Sequence, residues 1–376
     1  MRIVYVLTSL GVGGAERQAL AIADRMVRRG HSVALLVLKP VIKQEWPTSL
    51  PVVHLNIGKT AGSLFAGMMR ARRFLREFRP DVVHSHSFHA NIFARLLRVL
   101  KPGFKVISTV HNVYEGSSWR MLAYRLTDGL ACRTTAVSEA AADRFIRLKA
   151  VKAHKCIVLL NGIDTDEFAP DQVRRERTRD EMGAGESFVW IATGRLVAAK
   201  DYPNMLRAFG KVRAVFPDAQ LWIAGEPADR KRVKTQDGRT GTVSGFVVEH
   251  GLMEHVRLLG LRRDVPALLD GADAFVSSSA WEGMPLAVGE AMAMEKPVVA
   301  TDVGGTRELV GDAGDIVAAG DSAALATAMI DVMGQTAEQR KAHGEVARAR
   351  IVDEFSMSER ADDWESLYRS AVDFEL

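Results

Sequence analysis

Cysteine is nearly absent. Cys132 and Cys156 are the only two in 376 residues, and both sit in apolar runs that read as buried strands. Free core thiols are therefore expected, and a disulfide, a thiolate metal site and redox chemistry are set aside. Long apolar runs are missing too: no stretch approaches the ~18 residues needed to cross a bilayer. The chain opens on Met1-Arg2-Ile3-Val4-Tyr5-Val6-Leu7, a strand-like run without the parts of a signal peptide, so the expected location is the cytoplasm. No compositional extreme is present. With 47% hydrophobic and 26% charged residues the chain is neither disordered, fibrous nor membrane-embedded. At ~100 to 200 residues per domain, its length favours two domains. Acidic residues are scarce in the first part: residues 1–164 hold 25 Lys+Arg against 10 Asp+Glu, a surplus of +15, while the remainder holds 25 against 36, or −11. A basic first domain points to an anionic partner, for which nucleic acid, an anionic membrane surface and a phosphate-bearing acceptor all qualify.

Short β-branched runs alternate with amphipathic segments. Ile3–Thr8, Ser32–Leu38, Val52–Leu55, Asp81–Ser85, Lys105–Val110, Arg133–Val137 and Cys156–Leu160 read as strands. The alternation restarts at Phe188–Thr193 and continues through Gln220–Ala224, Val256–Leu259, Ala272–Ser277, Pro297–Ala300 and Asp315–Val317. Continuously apolar strands with helix-length connections imply parallel sheets covered on both faces. The expected class is α/β, with two doubly wound Rossmann-like domains facing a central cleft. The boundaries expected are residues 1–165, a linker at 166–185 containing Pro170, a second domain at 186–354 and a C-terminal helix at 355–376 returning to the first domain. Ligands of such sheets bind beyond the carboxyl ends of the strands.

The loop after the first strand, Gly11-Val12-Gly13-Gly14-Ala15-Glu16, opens a helix whose N–H groups face a phosphate or leave room for a sugar. It is a poor dinucleotide fingerprint, because Glu16 takes the third glycine position and the next strand ends Leu38-Lys39-Pro40 without an acid. A tight strand-to-helix turn is the alternative. His84 and His86 alternate at a strand end with His89 close behind. A metal site among them lacks a completing ligand other than Asp81, so no metal is expected. His111, at the carboxyl edge of Lys105–Val110, is either a site residue or a loop histidine.

In the second half, Thr193-Gly194-Arg195-Leu196 precedes Lys200-Asp201, two cations able to clamp a diphosphate, although solvated loop cations look alike. The sharpest segment is Trp281-Glu282-Gly283-Met284-Pro285-Leu286-Ala287-Val288-Gly289-Glu290. Pro285 suits the first turn of a helix, and residues Gly283 to Leu286 then form a phosphate cradle at its positive end. Glu290 falls in the second turn and Glu282 in the loop ahead.

Taken in order and spacing, these fragments resemble a retaining glycosyltransferase of family 4 with the GT-B fold. The resemblance runs over nearly the whole chain: Gly13-Gly14-Ala15-Glu16, Asp81-Val82-Val83-His84-Ser85-His86, His111, Val137-Ser138-Glu139, Asn161-Gly162-Ile163-Asp164, Gly194-Arg195-Leu196 with Lys200-Asp201, and the Glu282/Glu290 pair. It implies that Arg195 and Lys200 hold the donor diphosphate with the amides of Gly283, Met284, Pro285 and Leu286, and that Glu290 binds the ribose. Glu282 and His111 would be the catalytic residues beside the transferred sugar. Gly13 and Gly14 would line the diphosphate, and Glu16, His84 and His86 the acceptor side. It further implies front-face transfer without a metal or other cofactor, the leaving phosphate taking the acceptor proton. Two departures stand out: Gly225-Glu226-Pro227 replaces the family's Gly-x-Gly-Pro ahead of an extended loop at 228–245, and Asn112 follows His111 where many members have Asp.

The segment Ser63–Arg79 interleaves Leu64, Phe65, Met68, Leu75 and Phe78 with five arginines, a basic amphipathic helix that lies on an anionic membrane or packs on the core. The expected partners are a nucleotide sugar, with a uridine donor favoured, and a saccharide or polyprenyl-diphosphate-linked acceptor of bacterial surface polysaccharide. Nucleic acid is not expected, because it does not account for the acidic second domain. The alternatives are a nucleotide-sugar epimerase of the same fold and a non-catalytic nucleotide-sugar binder.

Overall fold

The computed structural model describes residues 1–11, 13–41, 48–101, 103–225, 233–234 and 240–373. It comprises two compact units, Met1–Gly162 with Met357–Leu376, and Ile163–Ser356. The first holds a seven-stranded sheet of β1 (Arg2–Leu7), β2 (Ser32–Val37), β3 (Val52–His54), β4 (Val82–His86), β5 (Lys105–Val110), β6 (Arg133–Ala136) and β7 (Cys156–Val158), ordered β3-β2-β1-β4-β5-β6-β7. Every pairing is parallel. Alternation along β1 explains the layers: Ile3, Tyr5 and Leu7 face helices Gly14–Arg28 and Met357–Asp373, while Val4 and Val6 face Ala61–Phe78 and Phe88–Leu100. Both faces are covered, so the strand reads as one apolar run.

The second unit holds β8 (Val189–Thr193), β9 (Gln220–Ala224), β10 (Val233–Lys234) paired antiparallel with β11 (Thr240–Gly241), β12 (Val256–Gly260), β13 (Ala274–Ser277), β14 (Val298–Thr301) and β15 (Asp315–Val317). Its parallel sheet is ordered β12-β9-β8-β13-β14-β15. All the strands expected from the sequence are present, with ends moved by up to two residues.

Several local expectations are corrected. Residues 166–185 carry helix Gln172–Glu181 rather than a bare linker. It is tied to its own unit by Arg175 and Arg179, which both bond Asp273. Cys132 lies just ahead of β6 and Cys156 begins β7; both thiols are free. Helix Ala61–Phe78 commits its apolar side to the core, with Ala71 and Leu75 buried and Met68, Phe74 and Phe78 packed against them. Leu64 and Phe65 stay exposed near its N-terminus. Glu226 and Pro227 of the departure and most of the 228–245 loop lie outside the described residues, but 243–245 open the helix Val243–Glu249, capped by Thr242. No described helix is long and apolar enough to cross a membrane.

Candidate active site

A doubly wound sheet binds ligands where its strand order reverses, because the connections on either side leave for opposite faces and open a crevice. In the first unit the reversal falls between β1 and β4, and in the second between β8 and β13. The carboxyl ends of those four strands carry most of the residues singled out by the sequence.

After β1, Gly13 caps helix Gly14–Arg28 in an extended conformation with no side-chain cap. A Cβ at Gly13 would stand 2.4 Å from Oε2 of Glu16, so the Glu16 carboxylate lies folded against the helix start. The arrangement favours the helix dipole, and the anion beside this helix end is the chain's own. Gly14 is exposed.

After β4 and beside the end of β5 lies a cluster of histidines. His84 is 0% exposed. Its Nδ1 is 2.7 Å from the Tyr368 hydroxyl and its Nε2 2.7 Å from Oγ1 of Thr109. Tyr368 bonds Tyr5 at 3.0 Å, and Thr109 bonds Thr135 at 2.7 Å. With both nitrogens engaged and no surface, His84 contacts no acceptor, which corrects that expectation. His86 is buried as well and meets His111 through Nδ1 and Nε2 at 2.8 Å, so it also has no face for an acceptor. His111 is half-buried at the strand edge. Burial holds His84 and His86 well below the usual histidine range, neighbouring histidines adding to it, and brings His111 down to about 4. The cluster is neutral at pH 7. Asp81 accepts from the Arg2 N–H at 2.7 Å, a structural task, and among the described residues no three His, Cys, Asp or Glu form a group suited to a metal. Ser87, next to His86, has φ 70° and ψ 162°, a conformation that costs a non-glycine residue about 1–3 kcal/mol. It is held by Ser87 N donating to Thr109 O at 3.1 Å and Asn91 N donating to Ser87 O at 2.9 Å. Neither Ser87 nor Tyr5 stood out in the sequence, and Tyr368 did so only as part of the returning C-terminal helix, since no spacing rule marks a strained turn or a hydroxyl contributed from 284 residues away.

In the second unit, Lys200 Nζ is 2.7 Å from Oε1 of Glu282, and both side chains keep a minor exposure of 20% and 15%. Ser279 Oγ donates to the same oxygen at 2.8 Å. Arg195 is exposed. The loops are interlocked: Tyr202 donates to Gly194 O at 2.9 Å, Ser278 to Lys200 O at 2.8 Å and Thr301 to Ser279 O at 2.7 Å. Gly304, unmarked in the sequence reading, sits at φ +55° with Glu282 O only 2.2 Å from where a Cβ would be, so it lets the Glu282 backbone lie against the loop after β14. Pro285 is the cap of helix Leu286–Ala293 rather than its first-turn residue. It has no N–H, so the backbone N–H groups of this stretch belong to Gly283, Met284 and Leu286. Gly283, Met284 and Pro285 are buried, Leu286 is partly so, and Glu290, in the helix's second turn, is 7% exposed. The edge of β8 and β13 thus gathers two cations, backbone N–H groups and two carboxylates, a set able to neutralise a diphosphate and grip hydroxyls.

The chain as a whole is similar to known proteins. The family model "Glycosyltransferase Family 4" matches residues 12–167, and "Glycosyl transferases group 1" matches 187–335. The UDP-Gal:alpha-D-GlcNAc-diphosphoundecaprenol alpha-1,3-galactosyltransferase of Escherichia coli is 27% identical over 80% of this chain and 78% of its own. The phosphatidyl-myo-inositol mannosyltransferase of Mycobacterium leprae is 27% identical over 94% of this chain and 90% of its own. Among solved structures, Anabaena HepE in complex with UDP-glucose superposes with a TM-score of 0.85 at 21% identity, covering 98% of this chain and 100% of that one. The fold is GT-B, and the chain belongs to the family 4, group 1 glycosyltransferases.

Proposed function

We propose that this glycosyltransferase is a retaining hexosyltransferase that moves a sugar from a UDP-sugar to a saccharide carried on a polyprenyl diphosphate, in the assembly of a cell-surface glycan. The observation that carries the reading is the Lys200–Glu282 pair beside exposed Arg195 at the β8/β13 edge. Lys200 and Arg195 bind the diphosphate with the N–H groups of Gly283, Met284 and Leu286, and Glu290 binds the ribose. Glu282, once Lys200 turns to phosphate, meets the sugar, with His111 beside it. Gly13, Gly14 and Glu16 belong to the acceptor and diphosphate side. The bond from the sugar's C1 to the diphosphate oxygen breaks while an acceptor oxygen attacks from the same face, and its proton passes to the departing phosphate. Fixed cations aimed at that oxygen stabilise the charge that develops there, so no metal is invoked. The galactosyltransferase named above takes UDP-Gal and a diphosphoundecaprenol-linked sugar, and HepE binds UDP-glucose, which supports the donor and acceptor class.

Work on a lipid-linked acceptor puts the enzyme at the inner face of the membrane. Leu64 and Phe65 are exposed on one helix, and Trp119, Leu122 and Leu126 are exposed by 55%, 54% and 76% on another, Ser118–Thr127. The latter three share a helix face at i, i+3 and i+7, beside Arg120 and Arg125, the pattern of an interfacial segment. Sedimentation with phosphatidylglycerol vesicles at low salt tests this; no binding sinks it.

The donor is tested by thermal shift against UDP, GDP, ADP and their common sugars in wild type and Glu290→Ala. Stabilisation by the uridine series, weakened in the variant, is expected; a shift with another series or with none rejects the UDP reading. The anomeric coupling of the product by NMR tests retention, and transfer in excess EDTA tests the metal-free step.

A further inference from the structure

Two neutral imidazoles in contact must divide their protons, because facing nitrogens 2.8 Å apart can hold one proton between them and not two or none. His86 and His111 are both kept neutral by burial. His86 Nε2 is buried with no partner among the described residues. Buried N–H groups without an acceptor are rare, so the stable arrangement leaves Nε2 as a bare lone pair and puts the single proton of His86 on Nδ1. That proton is donated to His111 Nε2, which must then be a lone pair. The single proton of His111 is left on its Nδ1, for which no hydrogen bond within the described residues is present. Asn112 Oδ1 accepts from Tyr114 N at 3.1 Å. His86 is itself immobilised: the Tyr5 ring stacks on it with centroids 5.9 Å apart, His84 packs at 4.1 Å, and the strained Ser87 turn follows directly.

We propose that His86 is a positioning residue that locks His111 as the neutral Nδ1–H tautomer, making it a hydrogen-bond donor to an oxygen of the transferred sugar and denying it a role as proton acceptor through Nε2. The functional half rests on the reading that sets His111 beside that sugar; the tautomer does not.

The test labels histidine with ¹⁵N in the full chain and records long-range ¹H–¹⁵N spectra, the His111 signals being identified by their loss in His111→Gln. The Nδ1–H pattern is expected in wild type. A Nε2–H pattern overturns the proposal whatever the activity. In His86→Asn the side-chain amide reaches the place of Nδ1 and can donate as it does, whereas in His86→Gln the amide falls further along. Asn is therefore expected to keep the His111 pattern and a kcat within about threefold of wild type, and Gln to lose the pattern. With Gln, kcat drops roughly 10- to 100-fold at little change in donor KM, as expected for a misoriented catalytic group. Equal behaviour of the two variants, both folded by melting temperature, counts against it. If His111→Gln leaves kcat unchanged while the tautomer result holds, the placement of His111 by the sugar fails and the locking stands.

Discussion

The two strand edges solve opposite problems with similar topology. At the β1/β4 edge the polar groups are driven into the core, where Tyr5, Tyr368, His84, Thr109 and Thr135 form one chain of neutral partners, His86 bonds His111 beside it, and no charge survives. At the β8/β13 edge the charge is kept, as a Lys200–Glu282 pair close enough to solvent to exchange partners. A neutral chain fixes where protons sit and therefore orients; an ion pair fixes where charge sits and therefore binds and stabilises. The first kind tolerates deep burial because its members are neutral and, His86 Nε2 apart, bonded, whereas a buried charge would need full compensation. On the proposed function, orientation falls to the neutral edge of the first unit and charge stabilisation to the charged edge of the second, each suited to the dielectric it occupies.

That division makes measurable claims. Trp364 is 2% exposed and stacks on His84 with ring centroids 4.6 Å apart. Trp364→Ala should cost roughly 3–5 kcal/mol by urea unfolding. A loss below 1 kcal/mol would mean that the C-terminal helix does not support the histidine layer. Lys200→Met keeps the stem and removes the charge; transfer should fall roughly 10²- to 10³-fold, about 3–4 kcal/mol of barrier. Near wild-type kcat/KM would show that the charged edge is not where the leaving group is stabilised. The neutral edge predicts a pH response of definite sign. Above 6.5 the histidines are uncharged both folded and unfolded, and stability is full. As pH falls below 6.5 the unfolded chain takes up protons that His84, His86 and His111 refuse when folded, His111 until about 4. Stability should therefore drop between pH 6.5 and 4 by up to about 1.4 kcal/mol per pH unit for each histidine. A melting temperature flat from pH 7.5 to 5 would contradict a desolvated cluster. The smallest effect expected is Ser279→Ala, which removes one hydrogen bond to Glu282 and should cost about 1 kcal/mol. Donor KM should rise severalfold with kcat retained, and a collapse of kcat would promote Ser279 to a direct role.

How much was readable in advance follows from range. The strands were readable because each is a short continuous apolar run between helix-length connections, and period and breaker residues are local properties. The Lys200–Glu282 site was readable in part, since Arg195, Lys200 and the Glu282 to Glu290 segment are each compact motifs at strand ends. Their mutual pairing was not, because 82 residues separate Lys200 from Glu282. The amphipathic helix at 61–78 was visible, but whether its apolar side faced lipid or core depended on Val4, Val6 and Leu36, which no helical periodicity reports.

Composition and pattern were thus enough to determine the α/β class and to mark the strand ends at which the two cations and two carboxylates lie. Only the tertiary structure decided that His84 and His86 are interior residues, that Glu16 lies on Gly13, and that His111 meets another histidine. Strand patterning assigns a side chain to a face of the sheet, but burial and hydrogen-bond partners depend on what packs over that face. Here that cover is the helix bearing Trp364 and Tyr368, contributed from the far end of the chain.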